Sequence, residues 1–425
     1  MHRPRLQVFA LAVLVLGAGC KDTAASVEPA APAPDRDSDP DPDPAAQAAA
    51  LAQRLIILDG HVDMPHQVVS AQDREEPTPP VHAHTETDFD YPRAKAGGLD
   101  APFMSIYTPA KLQAEAGASK RYAERNIDLV LALAADHPEK FALAKIPDEV
   151  RANFERGLVS LPMGMENGSP IEGELTNVAY FYERGIRYIT LTHSKDNLIS
   201  DSSYDDAHTH GGLSEFGNQV VAEMNRLGIM VDVSHISDAA FWQVMERSAV
   251  PVIASHSSCR HFTPGFERNM SDEMIEALAA HDGVIQINFG GSFLSQPYRD
   301  AEGAGWEVLE ATMAERGLEW GDAETQTLIE AYQAEHPIPK LDLGVVADHI
   351  DHVVSLVGVE HVGLGSDFDG VGDSLPTGLS DVSMYPNLIR VLLERGYSEV
   401  DIEKICAGNV LRVWQTVEDY AAPRR

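Results

Sequence analysis

Eight short apolar runs recur along the chain, at residues 55–61, 99–107, 159–166, 188–193, 229–235, 252–256, 284–288 and 361–367. Helical patterns fill the intervals. Glu215–Leu227 (EFGNQVVAEMNRL) is amphipathic, and so is 271–281 (SDEMIEALAAH), where Ser271 is placed to cap the helix. Strand-like runs that alternate with helices build parallel β/α units. An open doubly wound sheet and a closed barrel both satisfy that alternation, and the polar ends of the runs discriminate between them. The first run ends in His61 and Asp63, the third in Glu166, the fourth in His193, the fifth in His235, the sixth in His256 and the eighth in Asp367. In a (β/α)8 barrel the C-terminal strand ends converge on one mouth, whereas an open sheet spreads them along a line. The chain therefore reads as α/β, a (β/α)8 TIM-type barrel over residues 51–425, with a helical insertion before the eighth strand. That acidic insertion, within 290–350, reads most simply as an ornamental hairpin, with a lid as its other use.

His61 and Asp63 stand at i and i+2, so in a strand they share a face and can reach one point. His235 and His256 close adjacent runs about one β/α unit apart. Burying so many ionisable groups at one mouth without a cation would be costly. Imidazole nitrogens and carboxylates suit Zn2+, with Mn2+, Fe2+ or Co2+ as substitutes. The six candidate ligands are His61, Asp63, Glu166, His235, His256 and Asp367. They exceed what one tetrahedral ion needs, and two ions with a shared carboxylate use them better. Other histidines take plainer readings. His349 and His352, with Asp348 and Asp351, lie on an amphipathic helix and serve capping or packing. His82, His84, His208 and His210 belong to solvated polar loops. Asp369 shapes the loop after Asp367, and Cys259 is not needed as a ligand.

Several longer motifs occur in order: DGHVDMP (59–65), GMENG (164–168), LTHS (191–194), GLSEFG (212–217), NRLGIMVDVSH (225–235), SHSSCR (255–260), ERNMSD (267–272), VADHIDHVVSLVG (346–358) and GLGSDFDG (363–370). With these motifs the chain resembles the membrane (renal-type) dipeptidases, within the metal-dependent amidohydrolases, over residues 51–420. The resemblance implies a zinc-dependent dipeptidase whose substrate is a dipeptide with a free C-terminal carboxylate. A C-terminal D-residue and some β-lactams would be tolerated. It gives His61 and Asp63 to one zinc, Glu166 to both as the bridge, and His235 and His256 to the second. Asp367 would lie against the first zinc and handle the proton. His193 would contact the scissile carbonyl, and Arg268 would bind the substrate carboxylate. Two departures stand out. Arg268 lies one residue further from His256 than the family pattern expects, which makes Arg260 its rival. ENG also replaces the EGG of mammalian members, which bears on substrate preference more than on metal. Family members are often dimers, so a homodimer is expected.

The formal charge of −34 repels phosphate backbones and excludes nucleic acid as a partner. The first twenty residues, with Arg3, Arg5 and an apolar run from Phe9 to Leu16, read as a secretory signal. LGAGC at 16–20 resembles a bacterial lipobox, with Gly17 where Leu is usual. It makes Cys20 an acylated first residue and a lipid anchor, and a plain cleaved signal is the competing reading. Residues 21–50, rich in Pro, Ala and Asp, read as a disordered tether. The expected location is the bacterial cell envelope, attached to a membrane on its periplasmic or outer surface. Two alternatives differ in class: another amidohydrolase, such as a deaminase or a phosphotriesterase-like esterase, or a silent, lipid-anchored binding protein on the same scaffold.

Overall fold

A computed structural model describes residues 43–318 and 323–424. The expected signal segment with Cys20, and the tether up to residue 42, lie outside the described residues. The strands in chain order are β1 (Ile57–Val62), β2 (Leu99–Tyr107), β3 (Phe141–Leu143), β4 (Val159–Leu161), β5 (Met163–Glu166), β6 (Ile186–Thr190), β7 (Met230–Asp232), β8 (Ile253–Ser257), β9 (Val284–Ile287) and β10 (Val362–Leu364). Eight of them form one parallel sheet in the order β1-β2-β5-β6-β7-β8-β9-β10. The sheet rolls into a ring that closes just past the strand ends. There the Asp367 N–H donates to the His61 carbonyl at 3.1 Å and the Asp63 N–H to the Phe368 carbonyl at 2.8 Å. The expected (β/α)8 TIM-type barrel is the observed fold, and all eight apolar runs contribute a strand to it.

Alternation along each strand explains why the runs are apolar throughout. Leu58, Phe103, Tyr188, Met230, Ile253 and Val284 are fully buried inside the barrel. Their neighbours Ile57, Met104, Ile189, Val231, Ala254 and Ile285 are fully buried under the outer helices. A parallel strand covered on both faces needs side chains of this kind at every position. Trp414, on the C-terminal helix Asn409–Ala421, joins the interior group, and Phe103 packs on it at 5.2 Å. Serines start several outer helices. Ser214, Ser237 and Ser271 each accept from a backbone N–H in the first turn of Glu215–Leu227, Asp238–Arg247 and Asp272–Ala280. The first and third of these are the two helices expected from the sequence.

Two boundaries move. The third run splits at Pro162, which lacks an N–H and breaks the ladder. β4 pairs with β3 outside the barrel, and β5 alone enters it. The tether does not extend to residue 50, because Pro44–Arg54 is a helix. Asp43 caps it, Pro44 occupies its first turn, and it buries Ala48, Leu51 and Ala52. Ala-rich composition read as disorder overlooked this spacing of small apolar residues. The insertion is helical as expected: Gly291–Leu294, Gln296–Arg316 and Ala323–Glu335 precede the helix Gly344–Val357 that leads into β10. Among the described residues, no helix is long and apolar enough to cross a membrane.

Candidate metal centre

The predicted residues converge at the C-terminal mouth of the barrel. His61, Glu166 and His256 sit within β1, β5 and β8, while Asp63, His193, His235 and Asp367 lie one to three residues past the ends of β1, β6, β7 and β10. Glu166 is the hub. Its Oε1 faces Nε2 of His235 (3.1 Å), His256 (3.3 Å) and His193 (3.8 Å), and its Oε2 faces Nε2 of His61 at 3.4 Å. His61 Nε2 is 3.5 Å from Asp63 Oδ2, and His61, Asp63 and Asp367 form a further close trio. His235 and His256 bring their Nε2 atoms to 2.9 Å.

Local backbone explains how loop residues reach this point. Asn167, His235, Asp367 and Asp369 all have positive φ, an uncommon conformation that persists where surrounding structure enforces it. Gly370 makes room for the carboxylates. A Cβ there would lie 2.2 Å from Asp367 Oδ1 and 2.3 Å from Asp63 Oδ2.

The imidazoles are oriented from behind. The Tyr188 hydroxyl lies 2.8 Å from His61 Nδ1, and the Tyr188 ring crosses β5 at Gly164, where a Cβ would fall 1.9 Å from it. Ser255 Oγ lies 2.7 Å from His256 Nδ1 and donates to Asp232 Oδ2 at 2.6 Å. Asp232 also accepts the Thr190 hydroxyl and the N–H groups of Ser234 and Ser255. With the Ser255 proton given to Asp232, His256 Nδ1–H donates to Ser255 and Nε2 is left as a lone pair facing the centre. Such partners fix the tautomer of metal-ligating histidines.

The residues present fit a metal. His61 Nε2 and Asp63 Oδ1 are buried without a hydrogen-bond partner among the described residues. Ligands about 2.0–2.2 Å from one cation stand at most about 4.4 Å apart, and the separations above fall inside that span. The carboxyl groups also differ in character. Burial alone would raise Glu166, but the charges of His61 and His193 and the bonds from His235 and His256 hold it well below the usual carboxylate range. Asp367 is pushed up to about 7 by burial and by the charge of Asp63, against the pull of His61 and the Asn288 bond. Burial, then the charges of His61 and Arg268, lowers His256 to about 3.

The two candidate arginines separate. Arg260 forms a bidentate pair with Asp238 (2.6 and 2.7 Å) and holds its own loop. Arg268 is buried behind the centre, donating to Ser257 Oγ (2.6 Å) and the His256 carbonyl (2.8 Å), while its Nε has no partner among the described residues. Cys259 is a buried free thiol that donates to the His349 carbonyl. His349 is structural, its Nδ1 accepting the Cys259 N–H and its Nε2 facing the Leu294 carbonyl. The sequence reading passed over Asn288, whose amide donates to Asp367 Oδ2 at 2.8 Å. Its place at the end of the seventh run was the available signal. Nothing in the sequence marked Tyr188, and Ser255 stood only as the first residue of SHSSCR with no role of its own; both sit inside apolar strands.

A cavity of about 1300 Å³ opens above the centre. Asp63, Glu166, His193, His235 and Asp367 lie on its floor, and Phe293, Tyr298, Arg299, Trp306 and Tyr332 of the insertion build its outer wall. The expectation of an ornamental hairpin is therefore corrected. These helices carry apolar and aromatic groups because they cover the mouth.

Compared with families of known proteins, residues 45–425 match Membrane dipeptidase (Peptidase family M19). Dipeptidase tcpJ of Claviceps purpurea is 32% identical over 378 residues, which are 86% of this chain and 78% of that protein. The probable dipeptidase PvdM of Pseudomonas aeruginosa superimposes with a TM-score of 0.75 at 26% identity, over 89% of this chain and 99% of that one. A metallo peptidase of Rhodobacter sphaeroides, solved with a phosphinate mimic of the dipeptide L-Ala-D-Ala, gives a TM-score of 0.69 at 25% identity, over 85% of this chain and 99% of that one.

Proposed function

Because this chain belongs to the membrane dipeptidase family, a family of metal-dependent peptide hydrolases, we propose that it is a binuclear zinc dipeptidase acting on dipeptides with a free C-terminal carboxylate. The observation that carries this reading is Glu166, whose Oε2 faces His61 and whose Oε1 faces His235 and His256. His61, Asp63 and Glu166 would hold one ion, with Asp367 against it, and Glu166, His235 and His256 would hold the other. Manganese, iron or cobalt are the substitutes this donor set admits. When bound, such a pair of ions acidifies water and polarises a carbonyl oxygen.

The chain's own residues do the rest. Asp367, grouped with His61 and Asp63 at the mouth and lining the cavity, would accept a proton and return it to the leaving amine. Asn288 keeps that carboxylate aimed at the centre. His193, on the cavity floor with its Nε2 3.8 Å from Glu166, is placed to donate to the scissile carbonyl oxygen. Arg268, whose Nε has no partner among the described residues, would donate to the terminal carboxylate. The phosphinate-bound relative supports extending the reading to substrates with a C-terminal D-residue. The proposal includes homodimerisation, read by sedimentation, and an acyl group on Cys20 that holds the protein at the cell envelope. A Cys20→Ser change that leaves membrane attachment and mature mass unaltered would remove the anchor.

The deciding experiment is hydrolysis of a dipeptide panel by the full-length protein as isolated, after chelation and after zinc return. The panel holds L–L, L–D and C-terminally amidated members. Activity lost with chelator, restored by zinc and confined to free carboxylates is the expected result. Restored activity on the amides would remove the carboxylate clamp. Two bound metals without hydrolysis would move the reading to another amidohydrolase reaction.

A further inference from the structure

A small dipeptide fills only part of the cavity, whose outer wall belongs to the insertion. About 1300 Å³ exceeds the 300–1,000 Å³ usual for sites that enclose drug-sized ligands. One wall is a run of tilted and edge-to-face aromatic rings. Tyr204 lies 5.9 Å from the His235 ring and 6.0 Å from Phe266, and Phe266 lies 5.9 Å from Phe293. A guanidinium caps each end of the phenylalanine pair. Arg268 is 5.2 Å from the Phe293 ring on the side of the metal centre, and Arg299 is 4.0 Å from the Phe266 ring on the side of the insertion.

The two arginines differ in what they already hold. Arg268 spends donors on Ser257 and on the His256 carbonyl. Arg299 lines the cavity and, among the described residues, has no carboxylate partner. The acids nearest it in sequence are engaged elsewhere, Asp300 by Gln296 at 2.6 Å and Glu302 by the Ser292 hydroxyl. Asp373, also on the cavity wall, pairs with Lys340. In a chain of formal charge −34, a half-buried cation left open toward the substrate space is a specific provision. Stacking on Phe266 fixes the plane of its fork and leaves its edge free for a carboxylate.

We infer that Arg299 is an anion-recognising residue of the substrate cavity, and that the preferred substrates are dipeptides whose C-terminal residue carries an acidic side chain. This inference rests on the dipeptidase reading. Arg268 would take the α-carboxylate of that residue, and Arg299, on the same aromatic wall, its side-chain carboxylate.

The test compares kcat/KM of the zinc-loaded full-length protein for L-Ala–L-Glu against L-Ala–L-Gln and L-Ala–L-Asp against L-Ala–L-Asn, with the matching C-terminal D-forms. It uses the wild type, Arg299→Met and Arg299→Lys. The wild type is expected to favour each acid over its amide by about tenfold or more, chiefly through KM and less so at high salt. Arg299→Met brings that ratio to about one, and Arg299→Lys keeps part of it. The ratio is internal to each variant, so loss of folded protein does not mimic the effect. A wild-type ratio near one, with amides well hydrolysed, overturns the inference and leaves the dipeptidase reading standing. A ratio that survives in Arg299→Met also overturns it, leaving the Phe266 contact as packing. Hydrolysis of neither member of any pair overturns the dipeptidase reading, and this inference with it.

Discussion

At the scale of single residues, Glu166 and Ser255 make different demands on the centre. Glu166 faces every histidine of the cluster, so Glu166→Gln removes charge from all four contacts at once. Activity is expected to fall by at least about a thousandfold, with both metals lost, as read by elemental analysis. Ser255 touches one imidazole from behind, and Ser255→Ala removes the link from His256 to Asp232. Loss of such a partner typically costs 10–100-fold in metal affinity. With the two ions proposed, chelator competition should show the His256 site weakened by about that factor, while the other stays tight. Equal weakening of both sites would mean that Ser255 supports the strand end rather than the His256 tautomer.

Among the elements, two joins carry measurable consequences. His349 ties the helix Gly344–Val357 to the loop after β8 and to Leu294. Burial lowers it to about 4, with the bond to Leu294 opposing and the charges of His352 and His261 adding to the fall. The unfolded chain therefore takes up a proton on this histidine near pH 6.5, and the native protein does so only near 4. The stability this group contributes is complete above about 6.5 and is lost as pH falls toward 4. It amounts to roughly 3 kcal/mol at most. Urea midpoints measured across that window should fall less steeply for His349→Gln than for the wild type. The second join is the helix Pro44–Arg54, whose Leu51 is 1% exposed. Leu51→Ala is expected to cost roughly 2–5 kcal/mol in urea unfolding. A cost near zero would mean that the helix is a loosely attached end.

For the whole molecule, ligands drawn from strands around the ring make metal content a determinant of stability. Cations that bind only the native state stabilise it by about 4 kcal/mol at a thousandfold excess over Kd. Chelation should lower Tm by several degrees in the wild type and leave Glu166→Gln almost unmoved in calorimetry. The barrel and its mouth were legible in the sequence, because an apolar run ending in an ionisable residue is a conspicuous pattern. It repeats at His61, Glu166, His256 and Asp367. What stayed hidden has physical reasons. Tyr188 and Ser255 are polar atoms inside strands that read as apolar. Pro162 is visible, yet only pairing shows that it parts two strands belonging to different sheets. Tyr298, Arg299 and Trp306 lie on a helix whose side facing the cavity is decided by tertiary packing.

The ring closes where Asp367 meets His61, and the Ser366 N–H reaches the Asp59 carboxylate at 3.0 Å across 307 positions of chain. The first and last staves of the barrel are thus hooped together at the spot where the chemistry would reside. Contacts so distant along the chain are slow to form. A chain still being synthesised, or clipped before β10, lacks Asp367 and the hoop together. With the role proposed for Asp367, a chain that stops before β10 is expected to hydrolyse no dipeptide, and activity in such a fragment would show that neither Asp367 nor the hoop is required.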